Sequence, residues 1–332
     1  MPFQILALSG GGYRGLFSAH ILAKLEEQAG RPIGECFDLI AGTSIGGIIA
    51  VGLALGKPAS QIRDLFEQKG EEIFTRGEPT WNPIINSWRF CRGVVMPKYD
   101  GSELRKAIEA VVGVDTLIGD AKTRLLVPTI NMTKGSVQIF KTAHHPNFFL
   151  DYKIKAADVA MATSAAPTFF PLAKIGASYF TDGGVVANAP DLCAIHEATH
   201  FLDTKPDDIK VLSIGTITTG FSLPTSLGAN FGMWRWMRKQ RLISTMFSSQ
   251  QQLVDFMVSH QLSDRYVRMD TKPAPEQSSD LGLDVASKKR RDTLIALADS
   301  VHQQFGGTPQ VRAMLNHRPA RPTFYKDGAA IV

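Results

Sequence analysis

Cysteine is scarce in this chain, with three among 332 residues. Cys36, Cys91 and Cys193 are far apart, odd in number and form no C-x-x-C pair, which leaves neither a disulfide framework nor a cysteine zinc site and makes a reducing cytoplasm the natural setting. The first residues lack the basic start, long apolar core and cleavage site of a secretory signal; they enter an apolar strand instead. Long hydrophobic runs are missing too. The most apolar helix, expected over 48–55, falls well short of the about 20 residues that span a bilayer. A soluble protein free to visit a membrane surface is therefore expected. No internal repeat is present. Charge of one sign is nearly cancelled, 36 Lys and Arg against 31 Asp and Glu, and the net +5 favours anionic partners such as phospholipid headgroups or nucleotides without choosing between them.

What remains is an ordinary globular composition, 44% hydrophobic and 20% charged, with length for one large domain or two small ones. Residues 3–9 and 37–42 read as buried strands, each ending in glycines and followed by a helix, 17–28 and 45–55. Two such units argue for a parallel α/β sheet. Further helices are expected over 60–74, 102–112 (with Ser102 as N-cap), 156–162 and 190–201, and strands over 125–131, 137–142, 179–181 and 210–214. Residues 77–99 form a long irregular excursion of the kind that closes over active sites. After residue 216 the character changes to a helical extension, with helices over 248–258 and 285–305.

Three glycine-rich stretches carry chemistry. Gly42-Thr43-Ser44-Ile45-Gly46 is a G-x-S-x-G elbow, which holds a serine on a sharp strand-to-helix turn with its hydroxyl clear of the backbone. Gly42 and Gly46 relieve crowding there, and the following helix directs its positive end at the reaction centre. Gly10, Gly11 and Gly12 follow a strand and precede a helix, so their amides are placed to converge on an anion, with Arg14 either shaping the loop or attracting a headgroup. Asp182-Gly183-Gly184 is a tight turn bearing a carboxylate. An aspartate of pKa about 3.9 is a weak base toward a hydroxyl; partial burial would raise it and make a Ser–Asp pair workable without histidine.

Other chemistries share these letters. Gly10-x-Gly12-x-x-Gly15 also spells the dinucleotide fingerprint, but the second strand ends in Gly42-Thr43-Ser44 where that fold wants an acid. His196-Glu197-Ala198-Thr199-His200 is a literal H-E-x-x-H on an expected helix, yet a catalytic zinc needs a third protein ligand, no H-x-x-G-x-x-H continuation appears and the next glutamate, Glu276, is distant, so an ordinary helix face is the better account. Trp234, Arg235, Trp236 and Arg238 interleave in a stretch suited to a regulatory or membrane contact. Lys288-Lys289-Arg290-Arg291 reads as a solvated helical turn, and no motif for a DNA or RNA polymer surrounds it. A dinucleotide-dependent oxidoreductase, a zinc hydrolase and a non-catalytic lipid-binding module stay open on the residues alone.

The three motifs, in this order, resemble the patatin-like phospholipases. Secondary landmarks do so as well: Tyr99-Asp100-Gly101, Ala162-Thr163-Ser164-Ala165-Ala166-Pro167, Asn188-Ala189-Pro190 and Ser213-Ile214-Gly215-Thr216. The resemblance covers residues 3–216. It implies a three-layer α/β fold with a mainly parallel sheet over 1–216, and a helical extension over 217–332. It further implies a Ser44–Asp182 dyad, an oxyanion hole at Gly10, Gly11 and Gly12, and supporting roles for Arg14, Gly42, Gly46, Gly183 and Gly184. No cofactor and no metal are implied, and the substrate class is the acyl ester of phospholipids or galactolipids. The size, the start on the first strand and the extension resemble one bacterial subgroup, the cyclic-nucleotide-activated effectors of anti-phage defence. That likeness implies a cyclic di- or trinucleotide activator and action from the cytoplasm on the inner membrane. It leaves a homo-oligomer open.

Overall fold

The first strand of the chain, β1 (Phe3–Leu8), is so apolar that both of its faces must be covered, and the fold is arranged around it. The computed structural model describes residues 2–74, 96–217, 225–237, 241–274, 281–283, 286–326 and 329–331. The expected irregular excursion therefore lies outside the described residues except for 96–99, and so does Arg238. Of Trp234 only the backbone is described.

β1 pairs in parallel with β2 (Leu39–Gly42) on one side and β7 (Ile209–Ile214) on the other. The sheet continues outward from β2 through β3 (Arg124–Asn131), β6 (Ser178–Asp182) and β5 (Ala173–Ile175), and outward from β7 to β8 (Tyr266–Met269). β4 (Ser136–Lys141) forms a hairpin with β3. The five central strands run parallel, and β4, β5 and β6 supply the antiparallel pairs.

Alternate side chains of these strands enter two separate cores. Leu6, Leu8, Ile40, Leu125, Val127, Leu212 and Ile214 pack toward α1 (Gly15–Ala29), α2 (Ile45–Ala54), α3 (Ala59–Phe74), α4 (Ser102–Val112) and α5 (Ala156–Ser164). Ile5, Ala7, Leu39, Ala41, Leu126 and Val211 pack toward two helices on the far face, Asp191–His200 and Arg241–Leu262. We label the short helix Gly184–Ala187 α6, then Asp191–His200 α7, Met233–Met237 α8 and Arg241–Leu262 α9. Helices thus cover both faces of a mainly parallel sheet, the three-layer arrangement expected.

Two local expectations change. Ser102 does not cap α4: Gly101 occupies the cap position at φ 83°, and Asp100 Oδ1 accepts from both the amide and the hydroxyl of Ser102 at 2.8 Å. Helices also do not make up the whole region beyond residue 216, because β8 extends the central sheet. A four-residue strand carrying Arg268 offers no apolar alternation to read. Its arginine is half-buried and donates to the hydroxyls of Ser9 and Ser213 and to Asp270. Leu294, Ala298 and Val301 of α10 (Lys288–Phe305) join the same core as α1, so the extension and the sheet share their interior.

Candidate active site

β3 brings two distant parts of the chain together. β4 occupies one edge of β3 from Leu126 to Asn131, so its other two partners share the opposite edge. β2 takes the first half, with Ala41 opposite Leu126, and then turns away at the elbow. β6 takes the second half, with Asp182 opposite Thr129. Three residues beyond Ala41 is Ser44, and three beyond Leu126 is Thr129. The serine and the acid therefore emerge at one level of the sheet, where β2 hands over to β6.

Ser44 is 7% exposed and adopts φ 55° and ψ −127°, a strained conformation for a residue with a side chain. Its amide donates to Thr163 Oγ1 at 3.0 Å, and that hydroxyl donates to the Pro128 carbonyl at 2.8 Å. Gly46 makes the elbow feasible. A Cβ there would stand 2.4 Å from the Leu8 carbonyl oxygen, so the first turn of α2 lies directly on the end of β1. Gly42 passes equally close to the Gly46 carbonyl. The N-terminal end of α2 begins at the serine, where its unpaired amides favour negative charge.

Ser44 Oγ donates to Asp182 Oδ2 at 2.6 Å across a separation of 138 residues. Asp182 is fully buried, and its other oxygen accepts from the Gly184 amide at 2.6 Å. Burial pushes the Asp182 carboxyl up to about 7, against the opposing pull of the bonds from Ser44 and Gly184. A carboxylate of that basicity can take a proton from a serine near neutral pH, which an ordinary aspartate does poorly. Gly183 packs against the Pro128 carbonyl, so the turn carrying the acid rests on β3.

The glycine loop abuts the serine, since a Cβ on Gly10 would lie 3.1 Å from Ser44 Cβ. The three loop amides differ. That of Gly10 is already engaged, donating to the Asn188 carbonyl at 2.9 Å, so Gly10 holds the loop and does not offer its amide to an anion. The amides of Gly11 and Gly12 form no hydrogen bond among the described residues. Gly12 has φ +59° and meets the Leu283 carbonyl, two constraints only glycine satisfies comfortably. Arg14 turns inward, with Nε donating to Gly11 O at 3.3 Å and Nη1 to Ile217 O at 3.0 Å. Burial lowers its pKa to about 10 against the influence of Asp270, so it shapes the loop and is not presented to a headgroup.

Ser44, Asp182 and Gly12 line one pocket whose remaining wall is almost wholly apolar: Ile45, Ile48, Phe74, Leu104, Phe169, Phe170, Phe247 and Leu283. Such a wall suits an acyl chain. Phe247 of α9 and Leu283 come from the extension, and reading the sequence alone assigned neither to the site. Thr163, Asn188 and Thr216 lay within noted landmarks, but their roles depend on contacts no local pattern encodes.

The H-E-x-x-H residues do other work. Glu197 points inward from α7 and accepts from His144 Nε2 at 2.9 Å and from Lys141 Nζ. Burial works to raise the Glu197 pKa, but these two bonds outweigh it and hold the carboxyl below its usual range. Burial keeps His144 low despite Glu197. His196 and His200 stack on each other at 5.2 Å and pack on the Phe201 ring. Among the described residues no cluster of three His, Cys, Asp or Glu is placed to hold a metal ion. In the Trp–Arg stretch, Arg235 is exposed and donates to Leu227 O and Asn230 O, and Arg235, Trp236 and Arg241 surround the Phe231 ring. None of these lines the Ser44 pocket.

Fold and site together define a three-layer α/β hydrolase in which an acid, not a histidine, partners the serine. A family model described as patatin-like phospholipase matches residues 6–192. A cGAMP-activated phospholipase of Pseudomonas aeruginosa is 42% identical over 329 residues, which covers 97% of this chain and 95% of that protein. Proteins of the same name from Vibrio cholerae and Escherichia coli are 40% and 37% identical, covering 86% and 88% of this chain and 86% of each relative. The chain belongs to the patatin-like phospholipase family and is a lipid acyl hydrolase. No helix among the described residues is long and apolar enough to cross a membrane.

Proposed function

We propose that this protein hydrolyses fatty-acyl esters of membrane phospholipids, with Ser44 as nucleophile and Asp182 as general base. It does so at the cytoplasmic surface of the inner membrane in anti-phage defence, when a cyclic oligonucleotide activates it. The observation that carries the chemistry is the 2.6 Å bond from the Ser44 hydroxyl to a buried carboxyl whose pKa is raised to about 7. Ser44 Oγ attacks the ester carbonyl carbon as its proton passes to Asp182 Oδ2. The amides of Gly11 and Gly12, unpaired among the described residues, receive the charge on the carbonyl oxygen. The intermediate collapses, the C–O bond to the glycerol oxygen breaks, and Asp182 returns its proton to that oxygen. Water then attacks the acyl-serine as Asp182 takes its proton; the bond from the acyl carbon to Ser44 Oγ breaks, Asp182 returns the proton to Oγ, and the fatty acid leaves.

The cyclic-nucleotide control is supported by the three relatives named as cGAMP-activated phospholipases along most of their length. In this reading residues 1–216 form the catalytic domain and 217–332 an extension packed on it. The exposed Arg235 beside Trp236 is our candidate for a membrane or regulatory contact. The test is release of free fatty acid from phospholipid vesicles, with and without cGAMP, by wild type and Ser44→Ala. Release only from wild type with the nucleotide is expected. Activity in Ser44→Ala would refute the dyad, and an equal wild-type rate without nucleotide would refute the control.

A further inference from the structure

Each peptide of the glycine loop has a carbonyl end as well as an amide end, and the carbonyl of Gly10 is held from outside the loop. It accepts from the buried Thr216 hydroxyl at 2.7 Å. Two longer contacts, at 3.5 Å, reach it from Gln251 Nε2 of α9 and from Asn188 Nδ2. The peptide joining Gly10 to Gly11 is trans, so the Gly10 carbonyl and the Gly11 amide lie in one plane and point opposite ways. Holding the carbonyl therefore aims the amide. Two glycines flanking a peptide leave its rotation nearly unrestrained, so its orientation has to come from a partner. The Gly11 amide itself makes no hydrogen bond among the described residues. Thr216 sits tightly against this peptide: a Cβ on Gly11 would fall 2.2 Å from Thr216 Oγ1.

We propose that Thr216 is a positioning residue for the oxyanion hole. Its hydroxyl fixes the Gly10 carbonyl and thereby presents the Gly11 amide to the oxygen on which charge develops. Gln251 adds a second, longer restraint, which ties the orientation of that amide to helix α9 of the extension. Both residues lie beyond the stretch matched by the family model, residues 6–192. The inference rests on the hydrolase reading above, and a single experiment separates the two.

Wild type, Ser44→Ala, Thr216→Val, Thr216→Ser and Gln251→Met are compared for hydrolysis of a p-nitrophenyl acyl ester with cGAMP present, and for phosphonylation of Ser44 by a fluorophosphonate. Removing an oxyanion donor outright lowers kcat about 10²–10³-fold, so misaiming one is expected to lower kcat about 10-fold or more, with KM within about twofold. Thr216→Ser keeps the hydroxyl and is expected to stay within about threefold of wild type on both measures. Gln251→Met is expected to fall in the same direction by a smaller factor. Labelling of Ser44 is expected to slow in parallel with kcat. Thr216→Val at the wild-type kcat would overturn the proposal, and Gln251→Met at the wild-type kcat would overturn the restraint assigned to α9. So would equal impairment by valine and serine at 216, which would assign the effect to shape. Hydrolysis surviving in Ser44→Ala would instead defeat the hydrolase reading itself, whatever the residue at 216.

Discussion

The hydroxyl of Ser44 and Oδ2 of Asp182 lie 2.6 Å apart, and among the described residues the carboxyl receives one further hydrogen bond, from the Gly184 amide. Two neutral donors do not offset complete burial, so the acid stays protonated to higher pH than an exposed aspartate. General-base catalysis needs the ionised form. The kcat/KM for a neutral ester is therefore expected to fall as pH drops through about 7, with a single ionisation on the acid limb. A limb near pH 4 would contradict this.

The same burial affects stability with a definite sign. The folded-state pKa lies above the unfolded value of about 3.9, so the stability present at low pH is lost as pH rises toward about 7. Above pH 7 the ionised carboxyl costs on the order of 4 kcal/mol. Asp182→Asn, inactive as a hydrolase, is expected to melt above wild type at pH 8, and the gap should shrink at pH 5. Thermal denaturation at the two pH values measures it.

Strain at the elbow gives a comparison of two inactive variants. Ser44→Ala and Ser44→Gly both lose the hydroxyl, but only glycine is at ease at φ 55° and ψ −127°. Backbone strain of this kind is worth about 1–3 kcal/mol, and glycine gives back about 0.5–1 kcal/mol in unfolded-chain entropy. Ser44→Gly should exceed Ser44→Ala in stability by about 1 kcal/mol in denaturant titrations. An alanine variant more stable than the glycine variant by about 0.5–1 kcal/mol would show that the site is unstrained.

Gly46→Ala tests the close approach of α2 to β1. The added methyl would meet the carbonyl oxygens of Leu8 and Ser9 at 2.4 and 2.7 Å, and backbone on that side cannot yield cheaply. The helix must shift and carry Ser44 with it. A displacement near 1 Å costs about 10²-fold, so kcat should drop by at least that factor.

Glu197 should matter to the fold and not to the chemistry. It is 1% exposed and bound by Lys141 and His144, and removing one member of a buried ion pair costs about 3–5 kcal/mol. Glu197→Ala is expected to lower Tm by more than about 5 °C while keeping near-wild-type kcat at low temperature. His196→Ala should leave both nearly unchanged. A loss of activity in His196→Ala that zinc restores would revive a metal role for this helix.

The individual pieces of the site are legible in the order of residues along the chain. Glycines after an apolar strand mark a turn onto a helix, a serine between glycines marks an elbow, and an aspartate before two glycines marks a tight turn. Each is a statement about the backbone of a few neighbouring residues, and each is legible because those neighbours are adjacent in the chain. How those pieces act together is set by the folded arrangement. The change of partner along β3 sets Asp182 beside Ser44. Burial makes that acid basic, Asn188 removes the Gly10 amide from service, and Thr216 braces the Gly10 carbonyl. Distance, desolvation and hydrogen-bond competition depend on segments far apart in sequence, and packing alone brings them within reach.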